Sequence, residues 1–281
     1  MSKFFNETQK ASQLAQHRLS NQNLDIKEML ENVKQGSSVN PEVPNAQLQE
    51  YRKVDVGSGN TARLILEQDA SAQAALEAYR GLRTKLMRVQ TESGLRSIAI
   101  SSSIPNEGKT LTAMNLGLCF AQLPGQRVLA IDADLRTRGL TRLLAHPVVP
   151  GLAQVLAGEL DPNEVILATN HDSFFVLPAG SVSTPSVEHF TGSAWQKLLD
   201  RCCESFKVIL VDTPPILPLA DFELISAACD GIVLVVRAHH GQRELIQKTA
   251  RTLDPKKLLG IVLNAVDHNE KRYDGYDYGH R

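Results

Sequence analysis

The sequence predicts an α/β protein whose doubly wound, mostly parallel sheet carries helices on both faces. Three observations carry that expectation. Short runs rich in β-branched residues and apolar on both faces alternate with helix-length segments. One run leads directly into a loop ending in Gly108-Lys109-Thr110 and then into a helical stretch, the context a phosphate-binding loop requires. Two further runs end in aspartate, at the strand ends where ligands collect in open α/β sheets.

The 281 residues allow one α/β domain plus an appendage, and the 42% hydrophobic content suits a globular core. Residues 1–60 are rich in Gln, Asn, Ser, Lys and Glu, so too little apolar surface is present to offset the entropy of ordering. An extended or disordered arm is expected there, with one short helix over Leu24–Val33, where apolar residues recur at helical spacing. From Thr61 to Thr91 the pattern becomes helical, with Leu64, Leu66, Ala75, Leu76, Tyr79, Leu82, Leu86 and Val89 spaced mostly three and four apart, and Ser93-Gly94 ends it. The strands that follow are expected at Ser97–Ser101, Arg127–Asp132, Phe174–Leu177, Lys207–Val211, Gly231–Val236 and Leu259–Asn264. The domain is thus placed at 61–266, and residues 267–281 read as a mobile polar tail.

Thirty basic and 31 acidic side chains leave a formal charge of −1, which gives no electrostatic reason to expect nucleic acid as a partner. Cys119, Cys202, Cys203 and Cys229 form no CxxC pair, so reduced thiols and a cytoplasmic location are expected. No apolar run approaches the roughly 18 residues that span a bilayer, and the N-terminus lacks a signal-peptide stretch.

The chemistry concentrates in three segments. Ser102–Thr110 reads SSIPNEGKT, with Ser103 standing where the common P-loop has its first glycine. Such a loop presents backbone N–H groups and a helix N-terminus to a polyphosphate, a lysine (Lys109) to the terminal phosphates and a hydroxyl (Thr110) to Mg²⁺. Ser103, Pro105, Asn106, Glu107, Gly108, Lys109, Thr110 and Leu111 are the expected contacts to a nucleoside triphosphate, taken as ATP. Arg127–Arg138 reads RVLAIDADLRTR, and alternation points Asp132 and Asp134 to one side, with Arg136 following. Lys207–Pro215 reads KVILVDTPP, so Asp212 ends a buried strand where it suits Mg²⁺ held through water. Taken singly, each aspartate is equally a cap or turn former; taken with the loop, they read as a metal and phosphate site. Asn264, at the end of the last strand, reads as a strand-end cap.

Together these segments resemble the bacterial tyrosine autokinases of polysaccharide export, within the deviant P-loop ATPases that include MinD and ParA. The family's Walker A form, S-x-x-P-G-E-G-K-[ST] after an apolar strand, matches Ile98–Thr110 except at Asn106, which replaces a glycine. Glycine there would permit positive φ, a region asparagine tolerates better than most residues. The Walker A′ form D-x-D-x-R matches Leu129–Arg136, and the Walker B form D-x-P-P matches Val208–Pro215. The resemblance spans about Glu77 to Arg281.

The resemblance implies that Lys109 and the loop hold the phosphates, that Thr110, Asp134 and Asp212 hold hydrated Mg²⁺, and that Asp132 takes the tyrosine proton. Arg136 would stabilise phosphate charge or brace the aspartates. For Asn264, similarity to related ATPases equally implies an adenine contact. It further implies autophosphorylation of a tail cluster, and Tyr273, Tyr276 and Tyr278 place three of five tyrosines in the last nine residues. Composition alone favours another reading, in which these tyrosines close the tail onto the surface or aid a partner contact; the P-loop and D-x-D-x-R motifs reverse that preference. Glu77-x-x-Arg80-x-x-Arg83 is similar to the family's motif for ring-like self-association; spacing alone favours a solvated ion-pair ladder instead. A membrane polysaccharide co-polymerase, whose cytoplasmic segment docks on the domain at the inner membrane, is the implied partner. A MinD-like ATPase switch that modifies no tyrosine is the main rival.

Overall fold

The computed structural model describes residues 51–56, 73–144, 150–181, 187–217, 220–240 and 243–266, all within one compact unit, Glu50–Arg281. Eight strands form its sheet: β1 (Arg52–Val54), β2 (Ser97–Ser102), β3 (Val128–Asp132), β4 (Leu167–Thr169), β5 (Phe174–Leu177), β6 (Val208–Asp212), β7 (Gly231–Arg237) and β8 (Leu258–Asn264). Their spatial order is β1-β4-β5-β3-β6-β2-β7-β8. Every pairing of these strands is parallel except β4 with β5. The doubly wound expectation holds, and six strands fall within a residue or so of their expected ends.

Continuous burial of the central strands explains their legibility, because a strand covered on both faces has no polar alternation. The two faces separate cleanly by parity. Ile98, Ile100, Val128, Ala130, Val208 and Leu210 pack with Met114, Leu116, Leu118 and Phe120 of α2 (Lys109–Ala121) and with Leu86 of α1 (Gln73–Ser93). Ala99, Leu129, Ile131, Ile209 and Val211 pack on the other side with Trp195, Leu198 and Leu199 of α5 (Ala194–Ser205) and with Phe222 and Ile225 of α6 (Asp221–Ala227). Two short helices, α3 (Leu152–Leu156) and α4 (Pro162–Val165), precede β4, and α7 (Arg243–Thr252) joins β7 to β8. Each fully buried aliphatic or aromatic side chain contributes about 1.5–3 kcal/mol, so these two layers supply most of the driving force.

Two strands, β1 and β4, were not anticipated. The stretch assigned to an extended arm includes Arg52–Val54, which pairs in parallel with β4 at the sheet edge and buries Val54; Val56 beyond it is buried too. Tyr51 adds an aromatic contact: its ring meets Phe175 edge-on at 5.1 Å, and the Arg127 guanidinium lies 4.9 Å from Phe175, 5.2 Å from Phe206 and 5.9 Å from Tyr51. The folded domain therefore begins well before the expected boundary at 61. The helix expected over Leu24–Val33, residues 61–72 of the helical stretch and the tail from 267 lie outside the described residues. The rest of that stretch forms α1, and Gly94 ends it at φ 72°.

No helix among the described residues is long and apolar enough to cross a membrane. All four cysteines are unpaired, and burial pushes the Cys202 and Cys229 thiols up to about 12, as unreactive core thiols require.

Candidate active site

Parallel pairing brings the expected residues together. β2, β3 and β6 lie side by side, and register places Asp132 directly opposite Asp212 at their C-terminal ends. The loop after β2 returns over the same edge to start α2, so Lys109 becomes the first residue of that helix.

The loop backbone is shaped to hold an anion. Asn106 has φ 66° and Gly108 φ 95°, an alternation that turns amides toward one concave side. Asparagine thus adopts the left-handed conformation that the family's glycine would supply. No main-chain or side-chain acceptor among the described residues takes the amides of Asn106 to Leu111. The outer side of the loop is braced instead: Glu107 accepts from the Ile104 amide at 3.1 Å, Asn264 Nδ2 donates to the Glu107 carbonyl at 2.9 Å, and Ile216 and Leu217 donate to the Ser102 and Ser103 carbonyls. Ser103 is buried, Pro105 and Asn106 are exposed, and Thr110 and Leu111 are half-buried. Asn264 therefore sits as a brace beneath the loop, and a Cβ at Gly108 would come within 2.0 Å of its Nδ2.

Lys109 lies in a buried carboxylate nest. Its Nζ is 3.0 Å from Asp134 Oδ2 and 3.6 Å from Asp212 Oδ1. Burial works to lower its pKa, but Asp212, Asp134 and Asp132 outweigh burial and hold the ammonium above its ordinary value. Asp134 shows the converse balance: burial raises it, while Lys109 and two bonds from Thr137 keep it below the usual carboxylate range. Burial pushes Asp212 up to about 6, against Lys109 and the nearby Thr110 hydroxyl. Burial, then the charge of Asp212, pushes Asp132 up to about 7, against two bonds of 2.7 Å from the Thr141 amide and hydroxyl.

Some of these oxygens remain unsatisfied. Asp132 Oδ1 and both carboxylate oxygens of Asp212 are buried without a hydrogen-bond partner. Orphaned anionic oxygens beside a half-buried Thr110 hydroxyl fit a hydrated magnesium ion, which takes one or two carboxylates and fills its remaining positions with water and phosphate. Asp134 fits that role less directly, since its oxygens already accept from Lys109 and Thr137.

Arg136 is not where the motif suggested. Its guanidinium pairs with Asp221 at the start of α6, 3.0 Å from Nε to Oδ2, rather than with Asp132 or Asp134. The association motif also divides: Arg80 pairs with Glu77 at 2.6 Å on the surface, whereas Arg83 turns inward and donates to the Cys119 carbonyl at 2.6 Å. Arg83 thereby caps the C-terminal end of the phosphate-loop helix, where a cation is favoured by the helix dipole. Tyr273, Tyr276 and Tyr278 lie outside the described residues.

Sequence reasoning missed Thr137, Thr141 and Asp221. Thr137 follows Asp134 by three residues, a spacing at which an aspartate captures a following amide, so it was readable. Thr141 passes the constraint onward, accepting from the Ala179 amide at 2.9 Å, and this depends on tertiary contact alone.

A family model for an AAA domain matches residues 95–257. Tyrosine-protein kinase YwqD of Bacillus subtilis is 33% identical over 206 residues, covering 72% of this chain and 86% of that protein. The chain belongs to the bacterial tyrosine-protein kinase family. The kinase domain of Escherichia coli tyrosine kinase ETK superposes with a TM-score of 0.69 at 28% identity, covering 83% of this chain and 89% of that one. The succinoglycan biosynthesis transport protein ExoP of Rhizobium meliloti is 30% identical over 223 residues, which are 76% of this chain but 28% of that longer protein.

Proposed function

We propose that this kinase uses Mg-ATP to phosphorylate tyrosines of its own C-terminal segment, Tyr273, Tyr276 and Tyr278, and through that modification controls polysaccharide chain length and export. The observation that carries this reading is the buried Lys109 set among Asp132, Asp134 and Asp212 beside a loop with unused amides. Lys109 and the loop amides bind the β- and γ-phosphates, while Thr110, Asp212 and Asp134 hold the hydrated ion. Bound magnesium would neutralise charge developing on the transferred group. Asp132, held by Thr141 with one oxygen open, accepts the tyrosine hydroxyl proton; its raised pKa makes it a competent base near neutral pH. The γ-phosphorus–oxygen bond to ADP breaks as the bond to the tyrosine oxygen forms, which requires positioning more than covalent help from the protein.

Arg136 shapes the pocket through Asp221 in this reading, and the surface pair Glu77–Arg80 is offered to a neighbouring subunit in a ring. A membrane co-polymerase is the proposed partner, which would hold the kinase at the cytoplasmic side of the inner membrane. The match of this chain to about a quarter of a polysaccharide transport protein supports that reading.

The test is incubation of the full chain, alone and with a co-polymerase cytoplasmic segment, with Mg-ATP, followed by phosphosite mapping using Lys109→Met as control. Phosphotyrosine within 273–278 in the wild type only supports autokinase activity. Turnover to ADP without phosphotyrosine would instead assign the site to a MinD-like switch.

A further inference from the structure

We propose that Arg138 and Arg142 form an acceptor-reading rim that selects tyrosines flanked by aspartate, and that its occupant is the Tyr273–Tyr278 segment of this chain. This inference rests on the kinase reading above and names the acceptor chemistry that reading leaves open.

The loop after β3 delivers both arginines to the site. The Arg138 amide donates to the Asp134 carbonyl at 2.7 Å, and the Arg142 amide donates to the Arg138 carbonyl at 3.0 Å. Each residue thus stands one helical turn from the next, a spacing at which side chains are neighbours. Between them, Thr141 holds the proposed base Asp132 by two 2.7 Å bonds. The arginines are therefore tied through the backbone to the carboxylates around which transfer is proposed. Arg138 takes φ 51°, unusual for a non-glycine residue, so the loop is held in this shape at some cost.

Direct pairing at this rim leaves two arginines without a carboxylate partner among the described residues. Asp134 is matched by Lys109, and Asp221 is matched by Arg136. Arg142 is exposed and Arg138 half-buried, and neither has a carboxylate partner among the described residues. Arg138 and Arg142 are thus the two cations of this loop that no carboxylate among the described residues pairs directly, while the deeper Asp132 is shielded by Thr141. The tail supplies the complement: Tyr273–Tyr278 reads YDGYDY, with Asp274 and Asp277 three apart and no basic residue among the six. Two aspartates facing two arginines neutralise the rim and bring a neighbouring tyrosine toward Asp132. Exposed pairs of this kind contribute modestly to affinity and more to encounter and register, so the effect falls on acceptor use rather than on nucleotide binding.

The experiment measures the initial rate of tail phosphorylation in the full chain at low and high salt, with nucleotide affinity measured in parallel. The variants are Arg138→Asn with Arg142→Gln, where asparagine tolerates positive φ, and Asp274→Asn with Asp277→Asn, which alters only the tail. Each pair should slow phosphorylation about tenfold at low salt, leave nucleotide affinity within about twofold, and flatten the salt dependence. Combining the two pairs should add little, and Arg142→Glu together with Asp277→Lys should recover part of the rate lost by either alone. Phosphorylation of the Asp274→Asn, Asp277→Asn tail at the wild-type rate overturns the rim. So does a parallel loss of nucleotide affinity in the arginine variant, which would reassign these residues to phosphate binding. A wild-type chain that makes no phosphotyrosine overturns the kinase reading itself, and the rim with it.

Discussion

Replacing Lys109 by Met should destabilise the protein in a strongly pH-dependent way, apart from abolishing phosphate binding. The ammonium is the only cation in contact with Asp134 and Asp212 among the described residues, at 3.0 and 3.6 Å, and Asp132 adds a third buried carboxylate. Breaking a buried pair by removing one partner typically costs about 3–5 kcal/mol. The carboxylates limit that cost by taking up a proton. Asp212 is already raised to about 6 with the lysine present, and loss of the lysine raises it further. A carboxyl protonated when folded and titrating near 3.9 when unfolded loses about 1.4 kcal/mol of stability per pH unit between those two pKa values. Unfolding then releases a proton, so the variant's deficit grows as pH rises. We expect a loss of about 1 kcal/mol near pH 5 and about 3 kcal/mol near pH 8. Urea denaturation across this range, in buffer with EDTA, measures it. The double variant Lys109→Met with Asp212→Asn should recover most of the loss at pH 8. A deficit that is equal at both pH values, or that the double variant fails to recover, would refute the charge argument and reassign Lys109 to packing.

Three further outcomes follow from the same geometry. Gly108→Ala should reduce nucleotide affinity by about a hundredfold, since φ 95° is strained for alanine and its Cβ meets Asn264 Nδ2; removing the Asn264 side chain should not restore binding, because the strain remains. Truncation before residue 57 should cost about 2–4 kcal/mol more than truncation before residue 50, because it removes β1, buried Val54 and Val56, and the Tyr51 contact with Arg127; equal urea midpoints would exclude β1 as part of the fold. Burial raises the Asp230 carboxyl, but the Ser97 and Arg96 amides, the Ser97 hydroxyl and Lys257 outweigh it and hold the group below the usual carboxylate range. Its stabilisation is present above about pH 4 and lost as pH falls through its folded pKa, so Asp230→Asn should cost about 0.5–1 kcal/mol at pH 7, discounted for exposure, and progressively less as pH falls below about 4.

What could be read without coordinates was whatever the local chain dictates. Ile98–Ser102, Val128–Asp132 and Val208–Asp212 are apolar on both faces because helices cover both, and the chemistry-bearing aspartates terminate those runs. β1 and β4 escaped notice because strands of three residues are too short to carry a periodicity; Arg52-Lys53-Val54 becomes an edge strand only where β4 offers a partner. The same division runs through the site. Lys109, Asp132, Asp134 and Asp212 sit in local motifs, whereas their supports are joined across long separations, Arg136 to Asp221 across 85 residues and Asn264 to Glu107 across 157. Arg83 carries the sharper lesson. Its spacing from Glu77 and Arg80 correctly groups three charges on α1, but spacing cannot say what that face meets. For Glu77 and Arg80 it is solvent; for Arg83 it is the Cys119 carbonyl at the far end of the helix that begins with Lys109. Any pull on the surface pair is therefore applied to a helix anchored, through Arg83, to the C-terminal end of the helix that Lys109 begins, so a motif read as a contact between subunits is first a strut within one.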